Sequence, residues 1–280
     1  MKRFLLLLLL FAAAGLALWN AALRPKLNAV ERGRRLAESS GCFGCHGPEG
    51  TAGTANPGRP ENSVPSFKAL MMFAKNEEEV REWIRDGVTA AKRKSETWQA
   101  NRKAGALRMP DFGDRLKPAQ IEDLVAFVIA VSGDYGPQDS LPLAGRDRAQ
   151  ELGCFGCHGA GGQFGRYNPR SLKGYIPSWD GADFPELVKD RSEFAEWVEN
   201  GRTKRFESNP IAKYFLRRAF LHMPRYERFL KPGDVDALWA YVQWLRGPRT
   251  VSAAEAPADT ALAPADSTPT DSTAPLSESP

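Results

Sequence analysis

The 280-residue chain is poor in the residues from which most reactive sites are built: it has four cysteines, three histidines and five methionines. The cysteines are Cys42, Cys45, Cys154 and Cys157, two close pairs, so none is left over to cross-link distant segments. A disulfide-built scaffold is thereby excluded. Basic charge is never concentrated. Residues 1–25, 26–132 and 133–250 each carry a net +3, while 251–280 hold five acidic residues and no basic one, giving +4 in all. That spread lacks the basic stripe of a nucleic-acid binder, and no nucleic-acid partner is expected. Strand-like alternation of polar and apolar residues is missing too, which points to an all-α chain. Away from the cysteine pairs, no acid–base pair or nucleophile arrangement stands out from ordinary surface charge.

What is present is written twice. The heptapeptide GCFGCHG fills 41–47 and 153–159, an offset of 112. The same offset relates Gly33 to Gly145, Asn56-Pro57 to Asn168-Pro169, and Val64-Pro65-Ser66-Phe67 to Ile176-Pro177-Ser178-Trp179. An offset of 114 then relates Trp83 and Gly87 to Trp197 and Gly201, Met109-Pro110 to Met223-Pro224, and Lys117-Pro118 to Lys231-Pro232. One two-residue insertion between Phe67 and Trp83 accounts for the change. Two domains of one plan are expected, at 27–135 and 139–248.

Each copy reads as helical. An opening helix is expected over 29–39 and 143–152, running into the cysteine pair. A middle helix follows the polar starts at Asn76 and Ser192 and stops at Gly87 and Gly201. A last helix begins near Pro118 and Pro232. Its apolar residues, Ile121, Leu124, Val125 and Val128, and Val235, Leu238, Trp239 and Val242, make one buried stripe. The stretches between these helices are long and rich in Gly, Pro, Lys and Arg, and need something to wrap around.

The two ends differ from the middle. Lys2 and Arg3 precede twenty residues, 4–23, that are apolar apart from Asn20. This is an export signal, and its length is also about that of a membrane anchor, so 1–25 are expected to act as signal peptide or anchor. Residues 251–280 contain eight Ala, five Pro, five Ser and four Thr, with no aromatic residue. Such a segment buries too little apolar surface to offset its ordering entropy, and a disordered tail is expected.

Cys-x-x-Cys followed by His reads as covalent attachment of haem c. Two thiols one helical turn apart reach the vinyl groups on one edge of a porphyrin, and the next residue, His46 or His158, offers its imidazole to the iron. A zinc site would need a fourth ligand that neither copy supplies. A thioredoxin-like pair would have no use for the histidine and would follow a strand. For the sixth iron position Met109 and Met223 are the candidates, at equivalent places and each followed by Pro. A soft thioether favours ferrous iron and raises the potential. His222 beside Met223 stands where the first copy has Arg108. It is either a neighbour of the haem or, less simply, a rival ligand.

On these motifs, 27–248 resembles a di-haem cytochrome c, two class I cytochrome c domains in tandem. The resemblance implies two covalently bound haem c groups. It implies a proline carbonyl that accepts a hydrogen bond from the proximal histidine: Pro57 or Pro65, and Pro169 or Pro177, with Pro65 and Pro177 favoured by the Ser-aromatic pair that follows them. It also implies a glycine of the opening helix packed on an aromatic of the last, Gly33 on Phe127 and Gly145 on Tyr241. The basic loops at 92–94, 202–205 and 217–218 exceed the pattern of the smallest relatives; they fit a solvated face, haem propionates or an acidic redox partner.

The expected function is electron transfer on the periplasmic side of the cytoplasmic membrane, between a donor and an acceptor, with redox proteins or a respiratory membrane complex as partners. The alternatives are a peroxidase-like or thiosulfate-oxidising enzyme, or a haem subunit of a respiratory complex. The first two call for an open iron position or an unusual ligand, and the chain has no spare cysteine.

Overall fold

The opening and last helices of each copy cross, and everything else hangs on that crossing. The computed structural model describes residues 2–23 and 26–247. In the first copy Ala29–Ser39 lies against Pro118–Ser132; in the second Ser140–Glu151 lies against Asp234–Arg246. The two backbones approach so closely that a side chain cannot fit between them. A Cβ on Gly33 would stand 1.9 Å from the carbonyl oxygen of Asp123 and 2.8 Å from Phe127 Cβ. One on Gly145 would stand 1.9 Å from the equivalent carbonyl, that of Ala237. Gly33 therefore meets Phe127 as the resemblance implies. At Gly145 the closest neighbours are backbone atoms of Ala237 and Leu238 rather than Tyr241.

Helix ends follow capping chemistry. The Asn28 and Asn76 side chains accept from the backbone N–H of Glu31 and Glu79, starting Ala29–Ser39 and Glu77–Asp86. In the second copy Asp190 caps Arg191–Asn200, slightly before the expected Ser192 start. Gly87 and Gly201 end the middle helices with φ of 66° and 70°. Pro118 opens the last helix of the first copy, but in the second Gly233 is the cap and Pro232 stays outside.

The long stretches before the methionines hold further short helices, Ala90–Lys94 and Glu96–Ala104, and Lys204–Ser208 and Pro210–Arg218. Thr89, Ser95, Thr203 and Asn209 cap them. One expectation needs correction: a strand pair does exist, Arg166–Tyr167 against Tyr175–Ile176. It closes a hairpin whose counterpart in the first copy is the single bridge between Ala55 and Ser63.

Each copy has its own apolar core. That of the first includes Val30, Ala37, Ile84, Leu124, Val125 and Phe127; that of the second includes Ala149, Phe194, Val198, Leu238, Tyr241 and Val242. The expected stripes are buried in full in the first copy, while Val235 and Trp239 are only half-buried in the second. A fully buried phenylalanine such as Phe127 contributes roughly 1.5–3 kcal/mol of transfer free energy.

The copies touch at the loop that carries Phe164 and at the segment from Ser178 to Glu186. Phe164, from the second copy, is buried in the core of the first, edge-on to Phe127 with ring centroids 6.0 Å apart. Around it Arg166 pairs with Glu49, Asn28 donates to the Gln163 carbonyl at 2.8 Å, and the Lys26 backbone N–H donates to buried Asp183.

Lys2–Leu23 is one helix whose described side chains, among them Phe4, Leu9, Leu10, Phe11, Leu16 and Leu18, are exposed. Among the described residues no helix is long and apolar enough to cross a membrane, so the expected transmembrane anchor finds no support there. The expected disordered tail, 251–280, lies outside the described residues.

Candidate haem sites

The five residues of each cysteine motif form one short helical turn, Cys42–His46 and Cys154–His158. One turn brings the i and i+3 thiols to the same side. All four cysteines are free and half-buried. Burial pushes the thiols of Cys42 and Cys154 up, the latter to about 11. Among the described residues no group of three or more His, Cys, Asp or Glu side chains is placed to hold a metal ion, so the zinc alternative has no geometry behind it.

The histidines are held from behind. His46 Nδ1 donates to the Pro65 carbonyl at 2.7 Å, and His158 Nδ1 meets the Pro177 carbonyl at 3.5 Å. A carbonyl only accepts, so the proton sits on Nδ1 and Nε2 keeps its lone pair. Of the prolines considered, Pro65 and Pro177 make this contact. Burial lowers both imidazole pKa values, that of His158 to about 4, which keeps the rings neutral and able to bind iron. An aromatic ring backs each imidazole: Phe67 at 4.7 Å from His46 and Trp179 at 5.0 Å from His158, centroid to centroid.

A cavity opens in front of each histidine. The first, about 220 Å³, is lined by Cys42, Cys45, His46, Pro65 and Met109. The second, about 560 Å³, is lined by Cys154, Cys157, His158, Pro177 and Met223. The structure thus brings together at one cavity, in each copy, the two cysteines, the histidine, the favoured proline and the methionine singled out from the sequence. Their chemistry fits a covalently held haem: two thiols at one edge, a neutral imidazole, a thioether, and walls of apolar side chains such as Leu70, Val80 and Ile84, or Leu187, Val188 and Leu238.

The methionine loops are fixed by backbone contacts. A Cβ on Gly87 would stand 2.6 Å from the Met109 carbonyl oxygen, and one on Gly201 2.3 Å from that of Met223. Three residues beyond, Phe112 N–H donates to the Ile84 carbonyl at 3.2 Å and Tyr226 N–H to the Val198 carbonyl at 3.1 Å. The middle helix and its glycine cap therefore seat the loop from below. His222 is exposed and lines the second cavity, as exposed Arg108 lines the first.

The second cavity is larger for reasons visible in the sequence. Arg59, Trp98 and Arg102 line the first; Ser171, Ala212 and Leu216 stand at the equivalent positions of the second. The basic loops are mostly paired within the chain. Lys92 donates to the Phe73 carbonyl, Arg93 pairs with Asp86, Arg202 with Glu207, and Arg205 with Glu193. Arg202 and Arg217 also line the second cavity.

Sequence reasoning missed Trp98, whose ring lies 5.6 Å from that of Trp83. It also missed a polar cluster in the wall of the second cavity. There buried Asp183 accepts from Lys173 and Tyr175, and Lys173 also reaches Glu186. Asp183 is held below the usual carboxylate range because the bonds from Tyr175 and Lys173 outweigh its desolvation. It falls in the insertion-bearing stretch, where no repeat partner flags it.

Residues 30–132 match the family model of cytochrome c. Among curated proteins none matches the chain. The matched segment is a cytochrome c domain; it implies covalently bound haem c with iron and indicates an electron-transfer protein.

Proposed function

We propose that the chain is an exported di-haem cytochrome c in which both copies, not the matched one alone, are haem domains. In this reading Cys42 and Cys45 carry the first haem, with His46 and Met109 on its iron. Cys154 and Cys157 carry the second, with His158 and Met223. One observation carries the proposal: the same set of two thiols, a carbonyl-held imidazole and a methionine lines a cavity in each copy.

Bound haem iron supplies a one-electron couple. The protein's part is to hold it. The Pro65 and Pro177 carbonyls orient the imidazoles and raise their basicity. The apolar walls would keep water from a bound haem, and Met109 and Met223, which line the same cavities as His46 and His158, would supply a second ligand to each iron. An iron held by two side chains would offer no open position to a substrate, which favours an electron carrier over a peroxidase-like or thiosulfate-oxidising enzyme. The two copies, packed through Phe164, make a short relay.

Haem attachment of this type takes place outside the cytoplasm, so the periplasmic side of the membrane is the proposed location, with residues 1–25 as the export signal. The exposed apolar residues of the N-terminal helix also suit it to a membrane surface, which would raise the local concentration near a membrane-bound partner. The proposed partners are redox proteins, among them a respiratory membrane complex.

The test uses the haem-loaded full chain. Met109→Ala should let carbon monoxide bind one haem of two in the ferrous protein, and Met223→Ala the other. Spectra unchanged in both variants would remove the methionines as ligands.

A further inference from the structure

The dipeptides Asn56-Pro57 and Asn168-Pro169 recur in register, yet the haem ligands and the histidine contacts leave them without a task. Their surroundings are the same in both copies. Asn56 is 5% exposed, and its Oδ1 accepts from the Leu107 N–H at 2.8 Å while its Nδ2 donates to the Leu107 carbonyl at 3.1 Å. Asn168, also 5% exposed, does the same to Leu221, at 2.9 and 3.0 Å. The next carbonyl adds a third bond: Pro57 accepts from Ala106 N–H at 2.9 Å, and Pro169 from Phe220 N–H at 3.1 Å. Leu107 and Leu221 stand two residues before Met109 and Met223.

A carboxamide offers a donor and an acceptor on one short planar group, so it can pair with a loop residue as a backbone would. Burying it without both bonds would cost more than an apolar side chain there. Each asparagine also sits in a closed hairpin. Asn56 N–H donates to the Asn62 carbonyl and Val64 N–H to that of Thr54; Asn168 N–H donates to the Gly174 carbonyl, inside the Arg166–Tyr167 and Tyr175–Ile176 strand pair. That hairpin leads directly into Pro65 or Pro177, the residue that holds the proximal histidine. One piece of chain thus grips the residue behind the histidine with one end and the methionine loop with the other.

We infer that Asn56 and Asn168 are positioning residues: each ties its methionine loop to the hairpin that orients the histidine, so that the two axial ligands of one haem are set by a single strap. The inference rests on the proposed His/Met ligation. The strap keeps the methionine from swinging away when the iron changes charge.

The test is made on the haem-loaded full chain with exogenous imidazole, which competes with methionine for ferric iron. Two hydrogen bonds of ordinary strength bias a loop's closed state by roughly tenfold to a hundredfold. In Asn56→Ala the imidazole affinity of the first haem should rise by about that factor. Its weak red charge-transfer band, the signature of methionine on ferric iron, should fall, while the second haem stays as it was. Asn168→Ala should do the reverse. Asn56→Asp loses the donor and turns a carboxylate oxygen toward the Leu107 carbonyl, so its imidazole affinity should rise at least as far as in the alanine variant. Asn56→Gln keeps both groups, should lie between wild type and Ala, and serves if the alanine variant does not accumulate. A wild-type protein with no such band sinks the His/Met reading itself. A wild-type protein with the band, and variants whose imidazole affinity stays within about twofold on the targeted haem, overturns the strap while leaving the ligation standing. A loss spread equally over both haems also overturns it, since a strap acts on one site only.

Discussion

Five residues after the closing glycine of each motif, Gly47 or Gly159, the two copies part ways. The first copy has Ala52, exposed, and the second has Phe164, buried in the other copy's core. The backbone around them is the same: Gly47 presses on the Ala52 carbonyl as Gly159 does on that of Phe164. One scaffold position has therefore been left as surface in one copy and turned into a joint in the other. The cavities diverge in the same manner. The cysteines, histidine, proline and methionine match one for one, while the outer walls exchange Trp98, Arg102 and Arg59 for Ala212, Leu216 and Ser171. The copies agree where they would hold haem and differ where they meet each other or the solvent.

The sharpest way to break the comparison is to remove one half of it. Replacing Cys154 and Cys157 together by alanine should halve the haem content while the first haem keeps its spectrum; loss of both haems would show that the copies do not load independently. Next comes the joint. Phe164→Ala removes a fully buried ring from a core it does not belong to by sequence, and should cost about 3–5 kcal/mol. In urea, one transition seen by both haems should split into two, the first copy unfolding earlier. Coincident, unshifted transitions would mean that Phe164 does not join the halves.

Smaller effects should separate the methionine loops. Gly87→Ala and Gly201→Ala place a side chain at positive φ and against the methionine carbonyl, with about 1–2 kcal/mol of backbone strain alone. The closer approach at Gly201, 2.3 against 2.6 Å, makes the second haem the more sensitive. The reporter is the methionine charge-transfer band of each haem; equal loss from both haems in either variant would contradict the local account. The smallest effect should come from exchanging Arg108 and His222. Both side chains are exposed and line their cavities, so His222→Arg should shift only the second haem's potential. A shift of both potentials would place His222 elsewhere in the network.

Much of this was legible in the residues. The cysteine motif names its own chemistry, and the repeat turned Met109, Met223, Pro65 and Pro177 from isolated residues into a register. The helices that pack the core announced themselves by period and cap, because burial of one face imposes the period. The stretches 89–104 and 203–218 did not. Their helices are short and cap-driven, with no residue fully buried within them, so they carry no stripe to read. Phe164 was illegible for a different reason: it is a lone aromatic in a glycine-rich loop, and its partner core belongs to the other copy. Asn56 and Asn168 were visible as a repeated dipeptide, but their task depends on a contact more than fifty residues away.

The central claim is that the duplication produced two working haem units. A reductive titration of the mature chain, with intact mass measured on the same sample, tests it most directly. The account predicts a mass gain of two covalent haems and two electrons taken up per chain, at two resolved potentials. One haem and one electron per chain would contradict it, and would leave residues 30–132 as the sole redox unit.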